Sequence, residues 1–200
     1  MGSARFTEQM KGFHTPGAPA FDAGYWTGRR DWNRLGFQLT IGADDVAAAL
    51  ADPDHRMAAT GWVQCAALTA ADLPVTAGEF QLFSAGGSPD RHLMRYRLPV
   101  DAPSGPMTVL GHKEVGNDRG FDLWPDTTTL YTRVVHGHLD FDAPRAAEFS
   151  RGILRLNAAM FSRQMLTFRG TPGGIARFGA FFGANLARTY GRRPKAEVPA

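Results

Sequence analysis

Cysteine is nearly absent from this chain. Cys65 stands alone among 200 residues, so no intrachain disulfide can form and a cysteine-built zinc site is excluded. Lysine is scarce as well: Lys11, Lys113 and Lys195 are the only ones, and arginine supplies the remaining basic charge. The 22 basic and 19 acidic residues leave a formal charge of +3, too little to argue for a nucleic-acid footprint. No apolar run reaches the roughly 18 residues of a membrane span. The opening MGSARFTEQMKG has no apolar stretch of the secretory kind, so a cytoplasmic location is expected. Neither a G-x-G-x-x-G fingerprint nor a Walker loop occurs. Neither a G-x-S-x-G elbow nor an H-E-x-x-H pair occurs. No cofactor is therefore expected.

What is present is an ordinary globular composition, 44% hydrophobic and 20% charged, suited to one domain with a sizeable core. Residues 1–34 show no clean period. Their many aromatics, Phe6, Phe13, Phe21, Tyr25, Trp26 and Trp32 among them, argue for an ordered arm. Phe37–Ile41, Met57–Leu68, Glu79–Phe83, His92–Val100 and Met107–Val115 read as strands, most of them by period-two alternation. Thr127–Val135 joins them through its β-favouring threonines and valines. Asp44-Asp45 before Val46–Leu50 marks a short helix. Gly152–Leu156 reads as the closing strand. Ala158–Phe168 and Ile175–Tyr190 carry helical spacing, the latter with Ile175, Phe178, Phe182, Leu186 and Tyr190 on one stripe.

Short strands at such intervals predict a mainly β (overall α+β) protein: an antiparallel, lipocalin-like barrel with a short helix after its first strand and C-terminal helices. The expected layout is an ordered arm over 1–34, the barrel over 35–157, helices packed on it over 158–190, and a disordered tail over 191–200.

Barrels of this size can hold one ligand, with aromatics supplying most of the buried area. Trp62, Phe80, Phe83, Tyr96 and Trp124 are the expected lining. They are otherwise ordinary core. His112 is a polar anchor if it points into the barrel, and part of a surface pair with Lys113 if it does not, because neighbouring strand residues face opposite sides. Asp126 before three threonines is turn chemistry, or the orienter of an acid/base pair with His112 or His136. His136 and His138 form an H-x-H pair without an evident third ligand, so no metal site is assigned. The basic Ile175–Tyr190 helix either packs on its own domain or docks on an anionic membrane or a partner.

Several segments occur in a distinctive order: Phe6–Gly12, Gly61–Cys65, Leu73–Val75, Gly78–Phe83, Met94–Leu98 and Trp124–Thr132. The set resembles an accessory domain found beside the flavin domain in large bacterial, cholesterol-oxidase-like members of the glucose–methanol–choline oxidoreductases. The resemblance spans roughly residues 5–170 and includes no catalytic signature. It implies a context of sterol or other lipid metabolism, with a separate oxidoreductase as a partner. It does not imply flavin chemistry, since the dinucleotide fingerprint is missing. The expectation is a non-catalytic accessory domain that binds a hydrophobic small molecule. The alternatives are a small cofactor-independent enzyme using His112 or His136 with Asp126, and a docking module acting through the C-terminal helix.

Overall fold

The computed structural model of the protein describes residues 2–88, 91–116 and 127–190. Trp124, Asp126 and the 191–200 tail lie outside the described residues. Eight long strands run in chain order: β1 (Ala4–Pro16), β2 (Arg34–Ala43), β3 (Arg56–Cys65), β4 (Leu73–Ser88), β5 (Arg91–Ala102), β6 (Gly105–Gly116), β7 (Thr129–His136) and β8 (Glu148–Arg155). Each pairs antiparallel with its neighbour, and β8 returns to β1, which also pairs β2. The result is a closed antiparallel barrel, which removes the free edges of an open sheet.

The expected N-terminal arm is instead a structural strand and a helix. β1 is the stave that closes the barrel, and α1 (Phe21–Arg30) packs on its outer face. Inward-facing Ala4, Phe6, Glu8 and Met10 keep period two, but the charged Glu8 in that row conceals it. Gly24 and Gly28 let α1 approach closely. A Cβ on Gly28 would lie 2.2 Å from the His14 carbonyl oxygen, and one on Gly24 would lie 2.2 Å from that of Arg151.

The other helices begin at side-chain caps. Asp45 caps α2 (Val46–Ala51) by accepting from the Ala47 and Ala48 amides. Asn157 caps α3 (Ala158–Leu166) through Met160 N–H. Thr171 accepts from Gly174 N–H at the start of α4 (Pro172–Tyr190). The apolar stripe of α4 turns inward: Phe178 is buried, and Ile175, Phe182 and Leu186 pack against the barrel core. No described helix is long and apolar enough to cross a membrane.

One seam is incomplete. β1 pairs with β8 only from Lys11 to Pro16, and with the two-residue β9 (Arg169–Gly170) only at Ala4 and Arg5. Between these, Thr7 N–H donates to Thr167 Oγ1 at 2.8 Å. The segment that follows β8, α3 with Thr167, thus covers the gap beside Glu8.

Candidate functional site

The barrel interior is apolar and closely filled. Met10, Phe37, Leu39, Leu98, Leu130 and Leu154 are all at most 1% exposed. Into it project three polar side chains from three strands. Lys113 Nζ (β6) donates to Glu8 Oε1 (β1) at 2.7 Å, and Tyr96 Oη (β5) donates to Glu8 Oε2 at 2.7 Å. Both oxygens of the carboxylate are thus engaged.

Strand parity positions the three. Lys113 shares its face with Val109, Gly111 and Val115, and Tyr96 shares its face with Met94 and Leu98. Gly111 pairs with both Tyr96 and Thr132, and a Cβ there would press on Leu130 at 3.0 Å. Tyr96 is held between Phe80, at 4.9 Å between ring centroids, and Phe37 at 5.6 Å. The Lys113 ammonium lies 5.3 Å from the centre of the Tyr96 ring. Burial pushes the Tyr96 hydroxyl well above its ordinary pKa, and the Glu8 carboxylate beside it adds to the effect. Tyr96 therefore stays a donor.

This arrangement is energetically expensive. Removing an ion pair from water costs several kcal/mol per ion before the mutual attraction is counted. An ammonium has three donors, and Glu8 is the hydrogen-bond partner of Lys113 among the described residues. Thr132, inward on β7 and a diagonal neighbour of Lys113, has a buried Oγ1 with no partner among the described residues. An ammonium with one partner among the described residues and an unmatched hydroxyl in an apolar interior are what a ligand's polar head group would satisfy.

A second buried polar cluster sits nearer the opposite end. His14 Nδ1 lies 2.7 Å from Ser150 Oγ, and Cys65 Sγ lies 3.5 Å from His14 Nε2. All three side chains are buried. Burial lowers the His14 pKa to about 4 and raises that of Cys65 to about 11. At neutral pH the pair is imidazole and thiol. It is not the thiolate and imidazolium of a cysteine nucleophile, and it serves to tie β1, β3 and β8 together. Six residues of β1, about 20 Å of strand, separate it from Glu8.

The residues expected from sequence do not converge. Phe80 and Tyr96 do touch inside the barrel. Phe83 lies at a bulge in β4 with φ 52°, packed on Phe181 and Phe182 of α4. Trp62 is half-buried on the outer face of β3. His112 points outward, correcting its expected role as interior anchor; its neighbour Lys113 takes the inward position. The His112 ring rests on Phe21 and Tyr131, beside an open groove of about 490 Å³ that Arg95, Arg133 and Phe141 help to line. Burial lowers its pKa; Glu114 opposes the shift, and Arg95 and Arg133 add to it.

His136 is exposed at the far end of β7, against Phe149. It pairs with Met107 whereas His112 pairs with Tyr131, so the two histidines form no acid/base pair. Gly137, at φ 87°, turns the chain after β7, and His138 goes instead to Asp101 and the Val100 carbonyl. No cluster of three metal-ligating side chains occurs among the described residues.

Glu8, Lys113 and Thr132 were open to sequence reasoning only through strand parity. The one available signal was the continuation of the alternation through Phe6, Glu8 and Met10. No protein-family model matches the chain, and neither a curated protein nor a solved structure does.

Proposed function

We propose that the barrel binds a small hydrophobic molecule carrying one hydrogen-bonding or anionic head group, of sterol or fatty acyl type, without catalysing its conversion. The observation that carries this reading is the Glu8–Lys113–Tyr96 set, polar groups held at a cost inside an apolar barrel that stability alone does not require. Lys113 and Thr132 would meet the head group. Tyr96, Phe37 and Phe80 would flank the body of the molecule.

The interior can be remodelled to admit a ligand. Met10, Met57, Met94 and Met107 all face it, and methionine repacks more readily than branched or aromatic side chains. The gap between β1 and β8, covered by α3, offers a route that leaves the remaining strand pairs intact. The resemblance to accessory domains of cholesterol-oxidase-like proteins supports the choice of lipid class. It also supports a role in bacterial lipid metabolism beside a separate oxidoreductase.

The test is a titration of methyl-¹³C-methionine-labelled protein with palmitate and, separately, with a soluble cholesterol derivative. One of the two should shift the interior methionine methyl resonances and raise the melting temperature, and the double variant E8Q/K113M should lose both responses. Unmoved resonances and an unchanged melting temperature at saturating concentrations of each would remove the basis for the reading.

A further inference from the structure

All the large hydrophobic side chains left exposed among the described residues lie on or just after two helices that both contact β1. Trp26 and Trp32 (58% and 65% exposed) belong to α1 and the turn after it; Phe161, Met165 and Leu166 belong to α3, with Leu166 at 76%. Both helices lie across β1. α1 meets it at Phe13, whose ring contacts Tyr25 at 5.8 Å and Trp32 at 6.3 Å, and Tyr25 continues to Trp26 at 5.1 Å. The chain after α3 meets β1 at Thr7. Thr7 and Phe13 are six residues apart, about 20 Å along the strand. One side of the barrel thus presents two apolar clusters while the remaining described surface presents none.

The surroundings of these clusters are basic. The Arg29 guanidinium lies 5.6 Å from the Trp26 ring centre, that of Arg34 lies 4.8 Å from Trp32, and that of Arg155 lies 5.2 Å from Tyr25. Lys11 is exposed between the clusters, and Arg163 and Arg169 are exposed on and just after α3. Residues 155–170 contain no acidic side chain. On α1 and its turn, Asp31 is paired with Arg30, leaving Asp22 as the other carboxylate. Trp32 holds φ at 56°, a left-handed conformation unfavourable for a bulky residue, while projecting its indole into solvent.

We infer that this face, built from α1, the turn at Trp32 and α3, docks on the surface of an anionic lipid bilayer. Indole rings favour the boundary between head groups and acyl chains. Guanidinium groups stacked beside them would meet the lipid phosphates, and lysine and arginine near an anionic leaflet add attraction that salt screens. Leu166 and Met165 would enter the acyl boundary as a second anchor. The inference is separate from ligand binding in the barrel and does not depend on it.

Co-sedimentation of the full chain with vesicles tests it. The protein should pellet with equimolar phosphatidylcholine and phosphatidylglycerol, pellet far less with phosphatidylcholine alone, and be released by half-molar sodium chloride. The variant W26S/W32S should partition about tenfold less, and R29E/R34E should lose the preference for anionic vesicles. Both change exposed side chains, and unchanged circular dichroism melts would establish that they fold. Wild-type protein that fails to pellet with anionic vesicles, or a folded W26S/W32S that pellets equally well, would overturn the proposal. So would a concentration-dependent dimer that W26S/W32S abolishes without any vesicle binding, because the face would then cover a second copy of the chain.

Discussion

Lys113 and Glu8, 105 residues apart in the chain, meet at 2.7 Å inside the barrel, each side chain only 3% exposed. Neither strand sets this pair alone. β1 and β6 are not neighbours in the sheet, so the contact crosses the interior. It forms only when the sheet has curled and closed. Tyr96 on the same carboxylate makes the pair a three-strand junction.

Breaking this junction from one side should be costly. E8Q leaves the Lys113 ammonium buried without its counter-charge, and K113M leaves the Glu8 carboxylate in the same state. Each should destabilise the protein by about 3–5 kcal/mol. The double variant E8Q/K113M should recover most of the loss, because neither charge remains to be desolvated. Urea denaturation of the three variants and the wild type forms the double-mutant cycle. Losses that simply add would contradict the pairing.

Acid should weaken the fold through His14. Its folded pKa of about 4 lies below the ordinary value of 6.5, so as pH falls the unfolded chain takes up the proton first. Stability is complete above pH 6.5 and declines until pH reaches about 4, by about 3 kcal/mol in all. His112, also lowered by burial, adds a smaller contribution of the same sign. Urea midpoints measured from pH 7 to pH 4.5 should fall steadily. H14N, less stable at pH 7, should show a much flatter dependence, and an equal slope in both proteins would rule His14 out as the cause.

Two glycine-to-alanine changes with opposite signs test the seating of α1 and the open face of α4. G28A places a methyl group against the His14 carbonyl and should cost about 1–3 kcal/mol by pushing the helix off β1. A Cβ added at Gly179 in α4 would have no neighbouring atom within 4 Å, so G179A should stabilise by up to about 1 kcal/mol through helix propensity alone. Thermal melts of the two variants side by side would show it. A G28A protein as stable as wild type would mean that α1 packs more loosely than its glycines indicate.

Much of the scaffold was legible locally. The alternation in Phe37–Ile41, the threonines and valines of Thr129–Val135, and the cap at Asp45 act over a few residues and appear where expected. The Phe178–Phe182–Leu186 stripe marked a helix, and its inward packing shows that the barrel end supplies the apolar partner. The first strand was not legible, because a glutamate occupies an inward position there and reads as solvent-facing. The charged pair of the candidate site went unrecognised for the same reason, although Tyr96 and Phe80 beside it were expected to line the interior. Lys113 and Glu8 look like surface charges, and His112 looks like the reactive neighbour.

Sequence alone determined every long strand but the first, the antiparallel class and the positions of most turns, since backbone propensity and side-chain periodicity operate between near neighbours. Tertiary structure alone decided which face of β6 looks inward, that β1 closes the barrel, and that Glu8, Tyr96 and Lys113 share one carboxylate-centred junction. It also decided that Trp26, Trp32 and Leu166 flank the same strand. The physical reason is barrel closure. It joins strands remote in sequence, and only in the closed interior does a buried charge find the counter-charge and donor that make its burial tolerable.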